Sequence, residues 1–484
     1  MKVIVIYDDT SVKTQIIDDV IGSKKFSEII IRKKTLEKHY RSSVSKVFTD
    51  VEWIKISSSS EVLALEKELG KYHNKATRVL YCFSNYFIFD EQKALMSFEK
   101  LNYVDDIYYA LSNDSVAAIM FPDISSYLSF CQKIHTDRKL VNKSADISNS
   151  FEINGLVDVN DVNNLISCIT GSFDSRYFNA LHGDDYTIEK SSTNKKKIKA
   201  EYSFYHLLPE EMKFWFVMPF NYREDEKSAS YEMERLHMTD LAIKWICGSI
   251  DEAEFEKIID KYLFFLSSRK TKNVTKQEYD SIAKTLYEDK VRSRIEALKC
   301  LEAYKKIKRI LDSFQENMLD VLVNKYFEIK EKVEAKNNYH CVSVIGHGDL
   351  CFSNSLYNKP TRTLKFIDPK GAISEEDLWT NPYYDVAKLS HSICGNYDFF
   401  NNALFDIKLC DDFKYKLEIP FDNSKYVQIF KRKIEENGFS YLAVRLYEAS
   451  LFISMLPLHI DNPYKVLGFI LNANNILEEI EKDV

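Results

Sequence analysis

Glycine is scarce in this chain, with 12 in 484 residues. That confines phosphate binding by glycine-rich turns to a few places. Neither a G-x-x-x-x-G-K-[ST] loop nor a G-x-G-x-x-G turn occurs, so the two commonest mononucleotide and dinucleotide fingerprints are excluded. Cysteine offers no framework either. The nine residues Cys82, Cys131, Cys168, Cys247, Cys300, Cys341, Cys351, Cys394 and Cys410 contain no C-x-x-C pair, which removes the usual zinc and redox spacings. They read as small hydrophobes in a reducing compartment. A basic excess is missing as well: 66 basic residues face 73 acidic ones, for a net charge of −7. A general nucleic-acid binder is not expected from that balance. The densest basic run, Asn194 to Lys199 ("NKKKIK"), reads as a solvated helix start. No uninterrupted apolar window of about 18 residues exists, so no transmembrane helix is expected. The strongest apolar run, "YLAVRLYEASLFISMLPLHI", carries Arg445, Glu448 and a proline, and reads as a core helix. The start, "MKVIVIYDDT", turns acidic too soon for a signal peptide. A cytoplasmic protein is the resulting expectation.

What is abundant is core material. Hydrophobic residues make up 45% and aromatics 13%, with 30 Tyr and 31 Phe. The length allows one to three domains. Residues 1–168 alternate apolar segments ("VIVIY", "EIIIRK", "VEWIKI", "RVLYCF", "VAAIMF") with helix-like stretches such as Glu61 to Tyr72. That pattern predicts a small α/β domain. A second region opens near Gly171. "YTIEKSS" predicts a strand. "KKKIKAEYSFYHLL" predicts a helix with Ile198, Tyr202, Tyr205 and Leu208 on one face. "WFVMPFNY" and "ASYEMERL" predict two further strands. From Thr239 to Lys336 the spacing is helical, "CVSVIGHGDL" returns to strand and loop, and the chain from about Tyr426 is helical again.

The chemistry concentrates in "VIGHGDLCFSNSLY" and the following "KFIDPKG". Asp349 and Asn354 lie beyond one apolar strand, and Asp368 lies beyond a second. A hairpin would bring Asn354 and Asp368 together. An amide oxygen with a carboxylate suits Mg²⁺, a hard ion that keeps bound phosphates and water. Asp349 is then free to orient or deprotonate a hydroxyl, the division of labour of kinase-type phosphoryl transfer. A polar turn capping its own backbone is the bland alternative for a lone Asp or Asn; the full H-x-D-x-x-x-x-N followed by I-D-P argues against it.

"HGDLCFSN" and "FIDPKG" resemble the catalytic and metal loops of the aminoglycoside phosphotransferase/choline kinase family, relatives of the protein kinases. The resemblance spans about residues 171–484. It implies an α+β two-lobed protein-kinase-like fold, here preceded by the α/β domain, with a small lobe over 169–236 and a helical lobe over 237–484. It implies ATP and Mg²⁺ as cofactors. Asp349 becomes the catalytic aspartate, Asn354 and Asp368 the metal ligands, and His347 an orienting residue of the catalytic loop. In "DVAKLSHS", Asp385 becomes an anchor of that loop. Such a fold needs a strand lysine and a helix glutamate. Lys190 and Glu201, eleven residues apart, fit, with Lys195, Lys196 and Lys197 as competitors. Met233, Glu234 and Arg235 stand where adenine would meet the hinge. Arg176 and Asn179 stand where a phosphate-covering hairpin would lie.

"LVDVNDVNNLISCI" resembles the closing segment of sugar-nucleotidyltransferase-like domains. The signature loop of an active copy is absent after the first strand, so a degenerate domain with a binding or scaffolding role is expected. Asp8 and Asp9 are the alternative start of a metal site there. The chain as a whole resembles capsule or lipopolysaccharide biosynthesis proteins. That implies a phosphotransferase acting on a hydroxyl of a small molecule or sugar. A nucleotide-binding pseudokinase and an aminoglycoside-type antibiotic phosphotransferase stand as alternatives. The last would need an acidic acceptor pocket, because aminoglycosides are polycations.

Overall fold

The computed structural model describes residues 2–31, 34–69, 77–134, 149–169, 180–183, 186–236, 238–313, 316–336, 339–410 and 415–483. The chain divides into two compact units, Met1–Phe173 and Asp174–Val484.

The first unit is built on a six-stranded sheet. Its strands are β1 (Val3–Asp8), β2 (Val51–Ile56), β3 (Arg78–Phe83), β4 (Tyr108–Ser112), β5 (Ser115–Phe121) and β6 (Ser150–Glu152), in the order β2-β1-β3-β5-β4-β6. β1 is buried along its whole length. Its alternating side chains feed two cores: Val3, Val5 and Tyr7 on one face, Ile4 and Ile6 on the other. That is the period-two signature of a strand covered on both faces. β1 runs parallel to β2 and β3, but β5 is antiparallel to β3. The reversal comes from the β4–β5 hairpin, whose turn residues Asn113 and Asp114 both have positive φ (48° and 60°). Asn and Asp tolerate that conformation better than most residues. "EIIIRK" departs from expectation. A 3₁₀ turn at Phe26–Glu28 takes in its first residue, and among its described residues the strand is Ile30–Ile31, in a two-stranded ribbon apart from the sheet. Burial of Ile29 and Ile31 accounts for its apolar character.

The second unit opens with an antiparallel sheet and continues largely in helices, the element order the sequence pattern predicts. A four-stranded antiparallel sheet comprises β7 (Ala180–Gly183), β8 (Thr187–Ser192), β9 (Pro219–Glu224) and β10 (Ala229–Glu234), in the order β7-β8-β10-β9. Helix α1 (Lys195–Leu207) packs on it, capped by Asn194, whose side chain accepts from Lys197 N. The buried stripe of α1 is Ile198, Glu201 and Phe204. Tyr202 and Tyr205 are only half-buried, so the stripe is rotated from the expected face. The reason is that a carboxylate, Glu201, occupies the inside.

The helical lobe includes α2 (Lys290–Cys300), α3 (Met318–Lys336), α4 (Tyr383–Ile393), α5 (Tyr441–Met455) and α6 (Pro463–Glu481). α5 packs against α3, α4 and α6. The stretch Tyr441–His459 is long and apolar enough to cross a membrane, but 78% of it is buried inside the unit. Its Arg445 and Glu448 pair with each other there, so the apolar run forms core. Between these helices, β11 (Val342–Ile345) and the hairpin β12 (Ser355–Asn358) with β13 (Thr363–Phe366) carry the loops of interest.

Candidate active site

β11 ends at Ile345 and delivers Gly346 to Asp349 into a loop tied down by one buried carboxylate. Asp385, on the first turn of α4, accepts from His347 N at 2.9 Å and Gly348 N at 2.8 Å. It also pairs with the Arg269 guanidinium at 2.9 Å, and both side chains are buried. The loop's course depends on glycine at position 348. Gly348 has φ 77°, and a Cβ there would sit 2.6 Å from Lys370 Cβ. Breaking the Asp385–Arg269 pair should be costly because it strands a buried guanidinium. Asp385→Ala is expected to destabilise the unit by roughly 3–5 kcal/mol, measured by denaturant unfolding against wild type.

His347 is an internal brace. Asp349 N–H donates to its Nδ1 at 3.1 Å, so Nε2 carries the proton and donates to Ile367 O at 2.9 Å. Phe216 stacks on the ring at 5.8 Å. Burial lowers the imidazole's pKa, although the nearby Asp385 and Asp349 act in the opposite direction. A neutral ring is what this pattern of one donor and one acceptor requires. Lys370 N–H donates to His347 O at 2.9 Å, so the two motif loops are stitched together on both sides of the histidine.

Asp349 itself is the open end of this assembly, with its side chain 38% exposed. The Asn354 amide donates to Asp349 O at 2.9 Å and to Asp349 Oδ2 at 3.0 Å. That fixes the amide orientation and leaves Oδ1 of Asn354 as the atom to serve a cation. Lys388, one turn beyond Asp385 on α4, pairs with Asp349 Oδ1 at 2.9 Å. Burial works against the Lys388 charge, but the Asp349 carboxylate outweighs it and holds the ammonium's pKa well above the ordinary lysine value.

The β12–β13 hairpin brings the two proposed metal loops to the same end. Ser355 pairs with Phe366, and Ile367 N–H donates to Asn354 O at 3.0 Å. Asp368 follows with φ 55°, the left-handed region that aspartate enters more readily than most residues. Gly371 has φ 92°, and a Cβ there would lie 2.7 Å from the Ala200 carbonyl carbon. The absent side chain lets the loop lie against α1, where Ala372 N–H donates to Ala200 O at 3.0 Å.

That contact sets Asp368 beside the next residue of α1, Glu201. Lys190, on β8, meets both: its Nζ is 2.7 Å from Glu201 Oε2 and 2.8 Å from Asp368 Oδ1. Lys190 and Glu201 are buried, whereas the Asp368 side chain is 37% exposed. Desolvation opposes the Lys190 charge, but Asp368 and Glu201 together raise its pKa above the ordinary value. The Tyr231 hydroxyl donates to Glu201 Oε2 at 3.2 Å. The competing lysines lie elsewhere. Lys195 donates to Asp225 O and pairs with Glu224; Lys196 is exposed; Lys197 approaches Glu201 Oε1 at 3.6 Å from the surface.

Met233 is buried on β10 and lines a small pocket with Glu201, Phe216, Tyr231, Phe366 and Asp368. Glu234 is exposed at the strand end, and Arg235 N–H donates to Tyr186 O at 2.8 Å. That N–H is therefore already engaged within the sheet. Arg176 and Asn179 lie outside the described residues. In the first unit, Asp8 and Asp9 are consumed by local structure. Asp8 accepts from Thr10 N, Thr10 Oγ1 and Tyr81 OH; Asp9 accepts from Ser27 N and Oγ. Among the described residues no cluster of three or more His, Cys, Asp or Glu is present to hold a metal by itself.

Sequence reasoning missed Lys388, Arg269 and Phe216. Lys388 had a usable signal: it lies three residues after Asp385 in a helix, so it shares the face that meets the loop. Arg269 is 116 residues from its partner and carried none.

No family model matches this chain, and no curated protein matches it by sequence. Solved structures similar to it include a thermostable mutant of aminoglycoside phosphotransferase APH(4)-Ia, at 13% identity, covering 65% of this chain and 98% of that one, with a TM-score of 0.36. Plasmodium vivax ethanolamine kinase is similar at 14% identity, over 64% of this chain and 83% of that one, with a TM-score of 0.34. Choline kinase from Cryptosporidium parvum is similar at 11% identity, over 66% and 95%, with a TM-score of 0.29. Likenesses this distant leave the chemistry to be argued from the geometry above.

Proposed function

We propose that the second unit is an ATP- and Mg²⁺-dependent phosphotransferase that acts on a hydroxyl group of a small molecule or sugar. The observation that carries this reading is the convergence of Lys190, Glu201 and Asp368 in one contact set, joined through Ile367 and His347 to the Asp349–Asn354 pair. Each member has a distinct task. Lys190, held by Glu201, binds the donor's phosphates. Asn354 Oδ1 and the Asp368 carboxylate are hard oxygen donors suited to Mg²⁺, which takes one or two protein ligands and fills its remaining positions with phosphate and water. The bound ion would neutralise charge on the transferring phosphoryl group. Asp349 accepts a hydrogen bond from the acceptor hydroxyl and takes its proton late in the transfer. His347, Asp385 and Arg269 fix the loop so that this geometry costs little to adopt on binding. A role in surface-polysaccharide assembly, with the first unit as a binding or scaffolding module, is the biological setting we favour.

Removing a metal ligand tests the donor side. Asp368→Ala should weaken Mg²⁺-dependent ATP binding roughly tenfold or more, about 1.4 kcal/mol, while binding measured without Mg²⁺ changes less. Calorimetric titration of ATP with and without Mg²⁺ reads both. Equal Mg²⁺-ATP affinity in variant and wild type would remove Asp368 from the metal site.

A further inference from the structure

Two lysines from different helices lie on the Asp349 side of the helical lobe, Lys388 in contact with the carboxylate and Lys290 bonded to Tyr384 on the same helix as Lys388. Lys388 on α4 reaches Asp349 Oδ1 at 2.9 Å. Tyr384 lies one turn earlier on α4, and its hydroxyl accepts from Lys290 Nζ at 2.7 Å. Lys290 begins α2, directly after a π-helical turn at Thr285–Asp289 in which its own N–H bonds back to Thr285 O. Such turns insert one residue into a helix and are frequent at functional sites. This one is locked from inside, because Tyr287 stacks on Tyr447 at 3.7 Å and bonds Asn381. The register of Lys290 is thus set by buried structure, and Lys290 itself stays partly exposed.

We infer that Lys290 and Lys388 form an acceptor subsite for a hydroxyl-bearing anion, a sugar or polyol carrying a phosphate or carboxylate. This rests on the phosphotransferase reading and names its substrate class. An ammonium acceptor would be repelled where the nucleophile must sit, next to Asp349. An anionic group would meet Lys290, which Tyr384 orients, with its hydroxyl at Asp349. The field at Tyr384 agrees: burial opposes ionisation of its phenol, yet Lys388 and Lys290 together lower its pKa. An aminoglycoside-type polycation is the acceptor class this arrangement disfavours.

The test is a matched panel: glucosamine, glucose, glucuronate and glucose 6-phosphate, with ethanolamine, glycerol, glycerate and glycerol 3-phosphate beside them. Each is titrated calorimetrically onto the full chain with Mg²⁺ and a non-hydrolysable ATP analogue, then assayed for phosphate transfer. Anionic members should bind roughly 10–100-fold tighter than their neutral counterparts. Lys290→Gln should abolish that preference, Lys290→Arg should keep it, and ATP affinity should stay the same in both. The phosphorylated and carboxylated arms separate the two anion sources. Tighter binding of neutral or cationic members, or an anion preference that survives Lys290→Gln, overturns the subsite. Anion binding without transfer to any member leaves the subsite standing and counts against the phosphotransferase reading instead.

Discussion

Lys190→Met should be the variant with the largest combined loss of stability and donor binding. The substitution keeps most of the side chain's volume and removes its charge, so packing on β8 is largely retained. What is lost is a cation 2.7 Å from Glu201, in a site where both side chains are only 2% exposed. Removing one partner of a buried pair costs roughly 3–5 kcal/mol. Asp368 adds little to that figure, because its carboxylate is partly in water. The deficit should also depend on pH. Burial already pushes the Glu201 pKa up, and without Lys190 it rises further. A carboxyl with a raised folded-state pKa binds its proton more readily folded than unfolded. Stability therefore falls as pH rises through the unfolded value and towards the folded one. The gap between Lys190→Met and wild type should narrow at pH 5 and widen at pH 8, as read by denaturant unfolding at both. In the same variant kcat/KM for ATP should fall roughly 10–100-fold, the worth of a charged hydrogen bond to phosphate. A variant with unchanged ATP kinetics would show that the small-lobe lysine has been misassigned.

The parts of this site that were legible in sequence are those whose spacing is fixed by one local element. Asp349 and Asn354 share a loop, and their side chains hydrogen-bond within it. Asp368 follows a hairpin whose two strands are four residues each. Lys190 and Glu201 are linked by a strand, a capped turn and two helical turns. The lysine shell around Asp349 was harder to see because it depends on tertiary packing. Lys388 becomes visible only once Asp385 is taken as the anchor of the loop, and Lys290 only through a π-helical turn that shifts its register. In the first unit the alternation of strands and helices was plain. The direction of β5 was not, because it is decided by the Asn113–Asp114 turn rather than by hydrophobic pattern. The inner face of α1 was misjudged for a physical reason. Hydrophobic periodicity marks Tyr202 and Tyr205 as interior, and it has no means of selecting a glutamate whose burial is stabilised by a lysine on a neighbouring strand.

Asp349→Asn is the variant that separates transfer from binding. It preserves shape, removes the charge and leaves Lys190, Glu201 and Asp368 untouched. Fold stability should fall modestly: the Asp349 side chain is 38% exposed, but the substitution leaves Lys388, whose side chain is only 12% exposed, without its carboxylate. Mg²⁺-ATP affinity should be unchanged, because in this reading Asp349 faces the acceptor and Asp368 the metal. The rate should not survive. A positioned base contributes roughly 10²–10⁴-fold to proton transfer, and kcat with a working acceptor should fall by about that factor. The asparagine also leaves Lys388 without its anionic partner. An anionic acceptor would then meet an unneutralised ammonium, so its KM should hold or fall while kcat collapses. That split distinguishes a chemical role from a packing role, since a distorted loop would raise KM along with lowering kcat. A pseudokinase makes the opposite statement: no transfer to any acceptor by the wild type, and no functional loss on substitution. Full transfer activity in Asp349→Asn would remove this residue from the mechanism, and with it the argument that the Asp349–Asn354 loop is built for catalysis.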